Sequence, residues 1–169
     1  MSCGHVAAVT ERNQDMLNEQ VLENCTRAEY YYRVAWEYLA AYDAVAKSKP
    51  NGLELTSAKL FLLCHALETA MKGWLILREG ISQEKLRKKY GHDLAKLAFS
   101  AGQHYPALLQ NAKHLDRLND SYWGGGTRDY EYPEGEDRIE YIPPDELVLL
   151  VKPCLQDLIQ SIVQERQSA

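Results

Sequence analysis

A chain of 169 residues is long enough for one domain with a real core and short for two. Its 46% hydrophobic and 25% charged residues match ordinary globular usage, which argues against wholesale disorder. A net charge of -5 excludes a broadly basic, phosphate-neutralising surface, so any grip on nucleic acid must come from a local patch.

The first 23 residues are polar and weakly patterned, and read as an N-terminal arm that is either loose or one short helix. They contain neither a basic start nor a long apolar run, so they do not read as a signal peptide. From Asn24 to about Ser48, Ala28, Tyr31, Tyr32, Ala35, Leu39, Tyr42 and Ala46 recur at helical spacing. The stretch KSKPNG ends that helix. A second helix, capped near Thr56 or Ser57, runs to about Glu79 and closes at Gly80. It is apolar around most of its circumference, as a helix buried on more than one side must be. Its small residues Ala66, Ala70 and Gly73 would let a neighbour approach closely. A third helix is expected from about His92–Asp93 to Gly102, and a fourth from Pro106 to about Asp120. A loop rich in glycine, tyrosine and charge then spans about 121–144, with a short hairpin suggested within 128–142. The last helix should run from Asp145 to about Gln164, kinked at Pro153. The expected fold is all-α, an up-and-down antiparallel bundle of four to five helices over residues 24–166.

Chemistry-bearing patterns are sparse. The cysteines Cys3, Cys25, Cys64 and Cys154 show no CxxC pairing, which favours a reducing compartment over a disulfide framework or a zinc site. No histidine pair has ligand spacing, so no metal and no cofactor is expected. His65, Glu68 and Lys72 could share one polar stripe on the second helix, most simply as an intrahelical row. The Gly124–Gly126 run lacks the Lys-Ser/Thr of a phosphate-binding loop, and no nucleophile elbow is present. Two features point towards binding. Lys85, Arg87, Lys88 and Lys89 form a basic run in an acidic chain, just before a helix start whose free N–H groups could hold an anion. Tyr130 and Tyr132, beside Arg128, offer rings on which a base could stack.

The stretches CHALETAMKGWLILREG, YGHDLAKLAFSAG and LDRLNDSYWGGGTRDYEYP, in that order, resemble the HEPN domain family (higher-eukaryote and prokaryote nucleotide-binding). The matching elements are His65-Ala66-Leu67-Glu68, Met71-Lys72-Gly73, Gly91-His92-Asp93-Leu94, and Arg128 with Tyr132-Pro133. The resemblance covers residues 24 to 165 and implies a helical bundle that pairs as a homodimer. The family's ribonucleases carry Arg-x4–6-His at the start of a late core helix. Arg87 and His92 have the spacing but fall between the second and third helices, with Gly91 interrupting them. No catalytic residue is therefore assigned. No apolar stretch approaches the length of a membrane span, so a soluble, cytoplasmic protein is expected from the residues themselves; the resemblance implies a non-catalytic binding module. It would engage a nucleotide, RNA or partner protein through Arg128, Tyr130, Tyr132, His92, Lys88, Lys89 and Arg87. Such modules occur in toxin–antitoxin and defence systems, where a nucleotidyltransferase-like partner protein is one expectation. A metal-independent endoribonuclease using His92 and a purely structural dimeric adaptor are the alternatives.

Overall fold

A computed structural model of the chain describes residues 3–48, 55–122 and 143–169, and all regular structure among them is helical. Seven helices follow in order: α1 (Cys3–Ala46), α2 (Thr56–Glu79), α3 (Gln83–Lys89), α4 (Leu94–Ala101), α5 (Ala107–Gln110), α6 (Ala112–Tyr122) and α7 (Pro144–Ser168). The fold is all-α, with more and shorter helices in its middle than the sequence pattern suggested. The proposed hairpin lies outside the described residues.

The core is built around α2. Leu60, Leu63, Leu67, Met71 and Trp74 on one row, and Ala66, Gly73 and Ile76 on another, are all buried. Both faces are covered because α1 and α7 pack on this helix and on each other. Ion pairs fix the directions. Glu29–Arg166 and Asp43–Lys152 hold α1 antiparallel to α7, whereas Arg78–Glu165 sets α2 parallel to α7. Gly73 marks the three-helix crossing. A Cβ there would sit 2.9 Å from Leu158 Cδ2 and 3.4 Å from Tyr31 Cβ, so only a bare backbone lets both neighbours in. By length and a mean hydropathy of 1.4, α2 could cross a membrane, contrary to expectation from the sequence; 72% of that window is buried inside the fold.

The N-terminal arm is not loose. Residues 3–23 are the first half of one 44-residue helix, which is continuous through Asn24. At 1.5 Å per residue α1 is about 66 Å long against about 36 Å for α2. It therefore runs well past the end of α2, where Asn24 packs on Gly80. Gly80 ends α2 in the left-handed region (φ 60°), which glycine adopts without a Cβ clash, and its N–H donates to the Ile76 carbonyl.

The basic run is itself a helix, α3. Ser82 caps it by accepting from the Lys85 N–H, and Leu86 is its one buried residue. The expected fourth helix is split at Asn111, whose side-chain Nδ2 donates to the Ala107 carbonyl. Such local bonding competes with the helical ladder. Pro153 lies inside α7, which continues as one helix to Ser168.

Candidate functional site

Glu68 is the one buried charged residue among the described residues, 4% exposed in the middle of α2. A carboxylate in such a place needs partners. Lys72, one turn along α2, donates to Oε1 at 2.5 Å. His92, from the turn between α3 and α4, places Nδ1 3.1 Å from both carboxylate oxygens. The family-like segments around Glu68 and His92, separate in sequence, thus meet in space. His65 lies one turn before Glu68 on α2. Its Nδ1 lies 3.1 Å from the Phe61 carbonyl, and its ring packs against Tyr38 and Phe61.

The turn that delivers His92 depends on Gly91, at φ 55°. Its N–H bonds back to the Leu86 and Arg87 carbonyls and closes α3. Arg87 therefore belongs to one helix and His92 to the turn before the next, so their sequence spacing defines no joint site. Asp93 then starts α4. Its Oδ1 accepts from the Lys96 N–H at 2.9 Å, its Oδ2 pairs with Lys96 Nζ at 2.8 Å, and Asn119 Nδ2 donates to it from α6. The Asn119 carbonyl oxygen takes the Leu94 N–H. Burial opposes ionisation of Asp93, but the hydrogen bonds from Lys96 and the Ala95 backbone outweigh it, and the carboxyl titrates below its ordinary value of 3.8. These contacts correct the expectation of a helix-end anion site. The first amide groups of α4 already have acceptors, and a carboxylate occupies that end.

The cations remain at the surface. Lys85, Arg87, Lys88 and Lys89 are all exposed, and Lys88 pairs with Glu84 at 2.6 Å. Lys89 Nζ lies 4.8 Å above the Tyr90 ring, and hydrogen bonding by Tyr90 pushes its ammonium above the ordinary lysine value. Beside it is a shallow depression of about 290 Å³, lined by Lys89, Tyr90, Ala95, Lys96, Phe99 and Ser100. Phe99 is 67% exposed although it sits in an amphipathic helix, since Leu94, Leu97, Ala98 and Ala101 take the inward arc. The depression is thus an apolar, aromatic surface lined in part by the stems of two lysines, one of which, Lys96, holds its ammonium on Asp93.

Of the seven residues singled out in the sequence, Arg87, Lys88, Lys89 and His92 lie at this α3–α4 corner, and only Lys89 lines the depression. Arg128, Tyr130 and Tyr132 lie outside the described residues. Lys96, Phe99 and Ser100 were missed. The available signal was the spacing of Leu94, Leu97, Ala98 and Ala101, which leaves Phe99 on the outer arc. No group of three His, Cys, Asp or Glu side chains gathers to hold a metal ion among the described residues.

Among the described side chains, Cys25, Cys64 and Cys154 are core residues. Burial pushes the Cys64 and Cys154 thiols up to about 12, and it also raises Cys25. None is poised as a nucleophile.

The described residues form an all-α protein with a largely apolar, aromatic surface depression edged by two lysines. Comparison with protein-family models, curated proteins and solved structures finds no match.

Proposed function

We propose that this chain is a HEPN-like helical module that binds a phosphate-bearing ligand, a nucleotide or short single-stranded RNA, without cleaving it. The observation that carries this reading is the depression at the α3–α4 corner, where Phe99 is exposed between Lys89 and Lys96. A base stacks on an aromatic face whatever its identity, and ammonium groups at its edge meet the phosphates. The Glu68–His92 contact supports it by holding the turn beside the basic helix in place. Binding rather than cleavage is favoured because Arg87 and His92 stand on opposite sides of the Gly91 break, so no arginine–histidine pair shares a helical face there. In this reading the module works as a homodimer or beside a companion protein in a defence-type system.

The test is fluorescence anisotropy of labelled ten-nucleotide RNAs with the full chain, with a cleavage assay in EDTA run alongside. Saturable binding that is lost in Phe99→Ala and Lys96→Gln, with the RNA left intact, supports the module. No binding of RNA or mononucleotides refutes it. Cleavage that disappears in His92→Ala would establish the nuclease instead.

A further inference from the structure

The first half of α1 is a helix that outruns everything packed on it. Arg166, near the end of α7, meets α1 at Glu29, and Gly80, the end of α2, meets it at Asn24. Val21 is still packed against the core. Residues 3–20 lie beyond those contacts, a projection of about 27 Å. The exposed carboxylates Asp15, Glu19 and Glu23 recur every fourth residue, so they form one stripe that runs from the projection onto the first packed turn. At 100° per residue, Met16 and Leu22 flank the stripe, and they are 60% and 42% exposed. Like charges stacked at this spacing oppose one another in an isolated helix, and a lone helical segment of this length is marginal in water. Both problems are relieved if a cationic surface covers the stripe.

The chain carries such a surface on α3. Lys85, Arg87 and Lys88 are exposed there, and only Lys88 has an acidic partner among the described residues. No ion pair joins Asp15, Glu19 or Glu23 to α3 of the same chain among the described residues. We propose that the projecting half of α1 docks on α3 of a second copy, its acidic stripe against Lys85, Arg87 and Lys88, with the exchange made reciprocally. Such an exchange is a closed twofold contact, because each copy supplies one acidic and one basic element. It uses cations other than the Lys89 and Lys96 that line the depression, so it stands apart from the ligand reading.

Charge exchange between two variants tests it. One carries Asp15→Lys, Glu19→Lys and Glu23→Lys; the other carries Lys85→Glu, Arg87→Glu and Lys88→Glu. All six positions are exposed, and circular dichroism checks that each variant keeps its helicity. Analytical ultracentrifugation should find the unaltered chain dimeric at about 100 µM protein in low salt. Its dissociation constant should rise at least about tenfold between 0.05 and 0.5 M NaCl, as screened ion pairs require. Each variant alone should be monomeric, and an equal mixture should recover a dimer containing one of each. A monomeric unaltered chain, variants that dimerise as well as it does, or a mixture that stays monomeric would each overturn the proposal. RNA binding is measured on the same variants, which retain Phe99, Lys89 and Lys96, so failure of the docking and failure of the ligand reading are separate results.

Discussion

Glu68 and Lys72 offer the sharpest test of how the centre of this fold is held. Their side chains are 6% and 14% exposed and meet at 2.5 Å one turn apart on α2. Removing one member of a buried pair strands the other, and such losses run to about 3–5 kcal/mol. Lys72→Leu leaves the less accessible group, the Glu68 carboxylate, with His92 as its partner, and should fall in that range. Glu68→Leu leaves an ammonium on a flexible stem that can reach for water, so the loss should be nearer about 3 kcal/mol. The double leucine variant removes both charges from a site walled by Cys64, Leu67 and Met71, all buried. Apolar replacement of both partners is close to neutral, so it should lie within about 1 kcal/mol of the parent. The expected coupling is thus about 5 kcal/mol or more, far above the few tenths that separate independent sites. Urea unfolding followed by circular dichroism measures all four proteins. In thermal melts the single changes should lower Tm by about 6–20 °C, at about 2–4 °C per kcal/mol for a chain of this size. Additive losses in the double variant would refute the view that the two charges stabilise only as a pair.

Gly102→Ala should lower stability by about 1–3 kcal/mol, because the new Cβ would meet Leu109 Cγ at 2.5 Å and the Ala98 carbonyl at 2.6 Å; an unchanged Tm would contradict that packing. Cys25, Cys64 and Cys154 should resist iodoacetamide in the native protein at pH 8 and react in urea, as read by mass spectrometry, since burial raises all three thiols. For Asp93, a folded value below 3.8 means that its ionisation stabilises the fold fully above that pH and ceases to do so as pH falls through the folded value. The Tm difference between the parent and Asp93→Asn should accordingly be constant above about pH 5 and shrink on acidification. Growth of the difference in acid would reverse the sign of the argued interaction.

The reading of α2 from sequence succeeded because its physics is local. A 24-residue segment with apolar residues on nearly every face has only burial open to it, and its glycine stop is read directly. Gly73 was legible for the same reason: a small residue among large ones signals close approach. The length of α1 was not legible, because residues 3–23 contain few apolar side chains and their helicity continues a pattern established further along the chain. The short helix α3 was legible only through its cations, which gather in its last turn, because one inward side chain, Leu86, is too few to display a period. At the corner, Glu68 and His92 each stood out, but their pairing spans 24 positions and depends on the Gly91 turn. The first amide of α4 is met by Asn119, from another helix, an acceptor that no local pattern announces.

Chemical-shift mapping on the isotopically labelled full chain, titrated with a short single-stranded RNA, bears most directly on what the corner does. Perturbed amides should cluster from Lys89 to Ser100 and vanish in Phe99→Ala, and raising salt should weaken binding with a log–log slope of at least about 1.4 for two lysine–phosphate contacts. Shifts spread evenly over α1 and α7, or none at millimolar RNA, would contradict a ligand site at this depression.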